Sequence, residues 1–123
     1  MKRILVLDDE QITADTLALI FEQHGFNAKA VYSGEEAVKA AMDYLPDIVL
    51  SDIIMGPMNG LDAAILIAGA LPGCRILLFS GQHATVERLL AAKKEGPSFE
   101  VLPKPIPPEV LVEKMKAAAR ATA

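Results

Sequence analysis

Five short apolar runs punctuate the chain at nearly even intervals: Ile4 to Leu7, Ala28 to Tyr32, Ile48 to Leu50, Ile76 to Phe79 and Phe99 to Leu102. Each has the length and bounding turn residues of a strand. The intervening stretches are long enough for helices and carry a helical stripe. Leu17, Ile20, Phe21 and His24 fall at i, i+3, i+4 and i+7, Val86, Leu89 and Leu90 repeat the pattern, and Leu111, Met115, Ala118 and Ala119 return it in the last segment. Strands alternating with helices fold through right-handed crossovers into a parallel sheet. The unbroken runs ILVL, IVL and ILLF suit central strands covered by helices on both faces. The expected architecture is therefore α/β, a doubly wound five-stranded parallel sheet, with binding at the carboxyl ends of the strands.

The punctuation agrees. Gly25, Ser33-Gly34, Pro46, Gly60, Pro72-Gly73 and Gly96-Pro97 fall between the periodic segments. Pro107 and Pro108 stand where the last helix should begin, a position that tolerates proline because its missing N–H would have no intrahelical partner. At 123 residues, 52% of them apolar, the chain has the size of one domain with a real core, so residues 1–123 are expected to form a single domain with no output domain.

Charge and composition narrow the classes of partner. With 12 Lys and Arg against 16 Asp and Glu, a net charge of -4 and no basic run, direct nucleic-acid binding is not expected. The longest apolar stretch, around Ala63 to Leu71, falls far short of the roughly 18 residues a membrane span requires. The first apolar run stops at Asp8, too soon for a signal peptide. A lone Cys74 permits neither an intramolecular disulfide nor a cysteine-pair zinc site, which suits a packing role in a cytoplasmic protein.

The chemistry gathers at the strand ends. Asp8 and Asp9 follow the first strand, Asp52 the third, Ser80 the fourth and Lys104 the fifth. Taken singly, each has an ordinary explanation: a helix cap, turn chemistry before Gly56-Pro57, a loop start at Ser80-Gly81, a solvated lysine. Taken together, a parallel sheet brings them to one edge, which those separate explanations do not predict. Three crowded carboxylates raise one another's pKa or recruit a cation, and an oxygen-only donor set favours Mg²⁺. Lys104 and Ser80 would add a charge and a hydrogen bond for phosphoryl oxygens, so the chemistry implied is phosphoryl transfer. His24 and His83 lack metal-ligand spacing and read as helix-end and loop residues; Met55 and Met58 read as loop packing or a mobile partner surface rather than sulfur chemistry.

These residues, ILVLDDE at the start, Asp52-Ile53-Ile54-Met55 with Gly60 eight residues after the aspartate, Ser80-Gly81 and Lys104-Pro105, resemble the receiver domain of two-component response regulators, including the single-domain chemotaxis-regulator type. The resemblance spans the whole chain and implies the flavodoxin-like strand order 2-1-3-4-5. It implies that Asp52 accepts a phosphoryl group from a histidine kinase or phosphotransfer protein. Mg²⁺ would be held by Asp9, Asp52 and the Ile54 carbonyl, and by Asp8 through water. Lys104 would pair with the phosphoryl oxygens, Ser80 would move to hydrogen-bond them, and the Lys104-Pro105 peptide would be cis. The added charge would shift loops on the face made by the fourth helix, fifth strand and fifth helix, where an unnamed downstream protein reads the switch. The implied state is a monomer or a weak phosphorylation-dependent dimer, catalysing only its own phosphorylation and dephosphorylation.

The sequence departs from the family pattern in three places. Gly56 precedes Pro57 where proline usually follows methionine directly. Val101 occupies the aromatic-switch position three residues before the lysine, with Phe99 two residues earlier; one extra residue between Gly96 and Lys104 allows a bulge that would carry Phe99 toward that position. Pro103 removes a strand N–H, as an edge strand tolerates. Ile54 and Gln82 occupy the family's variable positions near the pocket. Because Ile54 cannot orient water, slower phosphoryl loss is expected than in Ile54→Asn. Two other functions fit the same fold: a phosphorylation-independent interaction module, and a magnesium phosphohydrolase, whose relatives place Asp-x-Asp after the first strand.

Overall fold

The computed structural model describes residues 2–53, 60–80 and 99–121, Ser80 by its backbone alone. Along the chain run β1 (Arg3–Leu7), α1 (Gln11–Gln23), β2 (Asn27–Val31), α2 (Gly34–Tyr44), β3 (Ile48–Asp52), α3 (Gly60–Ala70), β4 (Arg75–Ser80), β5 (Glu100–Pro103) and the C-terminal helix α4 (Pro108–Ala121). All strand pairs are parallel and the sheet order is β2-β1-β3-β4-β5. This is the doubly wound order expected. The helical stripe at Val86, Leu89 and Leu90 lies outside the described residues, as do Met55, Gly56, Pro57, Met58, Gln82 and His83.

Alternation along the strands builds two cores, one on each face of the sheet. Ile4, Val6, Leu50, Leu77, Phe79 and Leu102 pack beneath α1 and α4 with Leu17, Phe21, Leu111 and Met115. Leu5, Leu7, Val49, Ile76 and Leu78 pack on the other face with Ala37, Ala41, Leu61, Ala64 and Ile67 of α2 and α3. Continuously apolar β1 and β4 thus supply both cores at once, which is why their sequences show no polar alternation.

Local chemistry sets the helix ends. Ser33 caps α2, its hydroxyl accepting from the Glu36 amide at 3.1 Å, while Glu36 reaches back to accept from the Tyr32 amide. The chain leaves α2 through Leu45 in the left-handed region, φ 52°, and leaves α1 through Gly25, φ 92°, which no side chain opposes. α4 opens at Pro108, where the sequence places it.

Strand limits differ from the sequence expectation by one to two residues. β3 runs on through Ser51 and Asp52 because these polar residues pair with Leu7 and Phe79, so Asp52 ends the strand instead of following it. β5 forms the edge expected from Pro103 and pairs with β4 residue for residue from Glu100 to Pro103. The bulge allowed by the sequence is absent from this stretch, and Phe99 stays at the amino end of β5, at the far end of the strand from Lys104.

Candidate functional site

The carboxyl ends of β1, β3 and β5 meet at one edge of the sheet. β1 and β3 are adjacent, with Leu7 opposite Ser51, and the ladder continues past β1 because the Asp8 amide donates to the Val31 carbonyl at 3.2 Å. Asp8 and Asp52 are consequently buried, whereas Asp9, one residue beyond, is exposed. One carboxylate oxygen from each of the three residues lies within 4.8 Å of the others.

Burial pushes the Asp8 carboxyl up to about 6. The hydrogen bond from the Glu10 amide, 2.9 Å, works against that rise, the charge of Asp52 adds to it, Lys104 opposes it and Asp9 adds again. Such a group is costly to ionise unless a cation stands beside it. Part of that cation charge comes from the protein, since Lys104 Nζ donates to Asp52 Oδ2 at 3.0 Å across 52 residues of sequence. Lys104 is followed by the cis Lys104–Pro105 peptide. The remaining carboxylate oxygens, hard, anionic and close together, fit a Mg²⁺ ion.

Asp8, Asp9, Asp52 and Lys104 are thus brought together. Ser80 ends β4 opposite Pro103, but its hydroxyl and the Ile54 carbonyl lie outside what is described. Val101 and Phe99 both pack, partly buried, against the α2–α3 core. Phe99 also lines an opening of about 560 Å³ with Cys74 and Arg75 at the amino edge, away from the carboxylates.

Three more residues shape the site, one of them, Gly60, already part of the sequence signature and two, Ser51 and Phe79, not singled out from sequence as site residues. Gly60, the first residue of α3, lies so close to β3 that a Cβ there would sit 1.8 Å from the Asp52 carbonyl oxygen, and its amide donates to the Ile53 carbonyl at 2.9 Å. Ser51, fully buried, places its hydroxyl 3.2 Å from the Asp52 carbonyl and 3.4 Å from that of Gly60. The ring of Phe79 lies beneath Lys104, its centroid 4.5 Å from Nζ. A glycine eight residues after the aspartate was a signal for the first; the other two depend on strand register.

The response regulator receiver domain family matches residues 4–116. The chain belongs to this family. Receiver domains are the phosphoacceptor signalling domains of two-component systems, regulatory in role, phosphorylated by histidine kinases and binding Mg²⁺ at an acidic pocket. This receiver domain is 30% identical over 119 residues to the DNA-binding response regulator MtrA of Mycolicibacterium paratuberculosis, covering 97% of this chain and 52% of that one. It is 28% identical over 120 residues to the response regulator MprA of Mycobacterium tuberculosis, covering 98% and 51%. The chain therefore spans about half the length of these curated relatives. Among solved structures it resembles the response regulator TrrA of Thermotoga maritima in complex with Mg²⁺-BeF, at TM-score 0.81 and 29% identity over 96% of this chain and 99% of that one. A receiver domain from Clostridium thermocellum shares the fold at TM-score 0.85 and 24% identity, covering 98% and 96%. Among the described residues no helix is long and apolar enough to cross a membrane.

Proposed function

We propose that Asp52 is the phosphoacceptor of a two-component phosphorelay, taking a phosphoryl group from a phosphohistidine of a histidine kinase or phosphotransfer protein. The observation that carries this is the 3.0 Å contact of Lys104 with Asp52 beside a second and third carboxylate. Asp8, Asp9 and Asp52, with the Ile54 backbone carbonyl, would hold Mg²⁺. When bound, the ion supplies positive charge that lets an anionic carboxylate approach an anionic phosphoryl group. Asp52 then forms the oxygen–phosphorus bond as the bond to the imidazole nitrogen breaks, the imidazole taking up a proton. Lys104 neutralises a phosphoryl oxygen, and Ser80 hydrogen-bonds to another. The only chemistry catalysed is the gain and loss of this group on the domain itself. The added charge redistributes loop conformations toward one that an as yet unnamed protein target binds.

DNA binding belongs to MtrA by name, and the net charge of -4 with no basic run gives this sequence no counterpart. A cytoplasmic location and a monomer, dimerising weakly on phosphorylation, accord with this role. The phosphorylation-independent alternative is disfavoured because the acidic cluster and Lys104 are both in place.

The test is intact mass after incubation with Mg²⁺ and acetyl phosphate. One added phosphoryl group that requires Mg²⁺ and is missing in Asp52→Asn is expected. No mass gain, with no donor consumption either, would sink the proposal and leave the interaction module.

A further inference from the structure

Lys104 directly follows the carboxyl end of β5 and Asp52 ends β3, and β4 lies between those two strands. Two strand spacings separate β5 from β3, roughly 10 Å, so the lysine must extend across β4 to reach the carboxylate. The residue it crosses is Phe79, which pairs with Asp52 on one side and with Leu102 on the other. Its ring is buried, 3% exposed, with Ile4, Val6, Leu77 and Leu102 in the core beneath α1 and α4. The ammonium sits 4.5 Å from the ring centroid and 3.0 Å from Asp52 Oδ2. An aromatic face is electron-rich and attracts a cation, yet accepts no ordinary hydrogen bond from it.

We propose that Phe79 is a positioning residue for phosphoryl transfer, its ring holding the Lys104 ammonium over the pocket independently of the Asp52 carboxylate. This rests on Asp52 being the phosphoacceptor. An extended lysine has several rotatable bonds, and anchoring it restricts them before the donor arrives. Asp52 alone is an unsuitable anchor. Its carboxylate loses its charge when its oxygen bonds to phosphorus, and the ion pair that held the lysine weakens as the reaction proceeds. The ring keeps its attraction throughout. Because the ring is not an ordinary hydrogen-bond acceptor, the ammonium still has N–H to donate to the carboxylate and then to the phosphoryl oxygens.

The experiment replaces Phe79 by phenylalanines carrying one, two and three ring fluorines, which drain the electron density of the face while nearly preserving its shape. Initial rates of mass gain are measured with acetyl phosphate and Mg²⁺. In that reaction Asp52 oxygen bonds to phosphorus as the phosphorus–oxygen bond to acetate breaks, acetate leaving with the electron pair. The same series is made in Lys104→Met, where no ammonium remains. The rate is expected to fall stepwise with fluorination, about 2- to 5-fold in all, with little change in melting temperature, and the fluorines should have no such effect in the Lys104→Met background. Phe79→Tyr should keep most of the rate and Phe79→Leu should not. A rate independent of fluorination in an otherwise phosphorylated protein would overturn the proposal, as would an equal decline in the Lys104→Met series, which would assign the effect to packing. Absence of phosphorylation in the unsubstituted protein would instead defeat the phosphoacceptor assignment itself.

Discussion

Asp8 and Asp9 are neighbours of identical chemistry with different environments, since one lies at the covered end of a strand and the other in solvent. The difference has a measurable consequence for the metal-free protein. Asp8 titrates near 6 in the fold, above its unfolded value of 3.8, chiefly through burial. The folded state therefore binds this proton more tightly than the unfolded state. Its stabilising contribution is complete below about pH 4 and is lost as pH rises through about 6. In chelator-containing buffer, Asp8→Asn should gain stability relative to the unsubstituted protein between pH 4 and pH 7. Urea unfolding at a series of pH values checks this; a pH-independent difference between the two proteins would refute it.

At the scale of elements, the site depends on how closely α3 approaches β3. A methyl group on Gly60 would collide with backbone at Asp52, which cannot swing aside as a flexible side chain would. Gly60→Ala should destabilise the domain by about 1–3 kcal/mol and, with Asp52 the phosphoacceptor as proposed, lower the phosphorylation rate as well, because the strain falls on the Asp52 carbonyl. Denaturant melts paired with mass-based rates decide the point, and a variant with unchanged rate and stability would rule out the close approach. The opposite is expected on α2. Removing the cap in Ser33→Ala should cost about 1 kcal/mol yet leave phosphorylation unaffected, since among the described residues the Ser33 hydroxyl bonds to the local turn, at the Glu36 amide. A loss of phosphorylation in that variant beyond what its stability explains would mean that α2 is coupled to the site.

Across the whole molecule, the crowded carboxylates store repulsion that a divalent cation relieves only in the folded state, because β1 and β3 bring the groups together. Mg²⁺ should therefore raise the melting temperature. Stabilisation of about 2.7 kcal/mol is expected once the free ion reaches a hundredfold excess over its dissociation constant, and the rise should be much reduced in Asp9→Asn. Scanning calorimetry with and without millimolar Mg²⁺ measures it; equal melting temperatures would mean that the pocket does not bind the ion. The same geometry separates the two ends of the sheet. The carboxyl edge carries the charged site, whereas the amino edge carries Cys74 and Phe99.

The alternation of apolar runs with helical stripes was enough to predict strands, helices and a parallel sheet, because local periodicity reflects which face each residue must bury. It was also enough to bring Asp8, Asp9, Asp52 and Lys104 to one edge, since parallel strands end together. Tertiary structure decided what depends on register and approach. Asp52 became part of β3 because Phe79 pairs with it, and Phe99 was kept away from Lys104 by an unbroken β4–β5 ladder. The burial of Asp8 beside an exposed Asp9, the Gly60 contact and the ring beneath Lys104 belong to the same class. Each is a distance between residues far apart in sequence, set by how strands and helices pack across the sheet, and no local pattern encodes it.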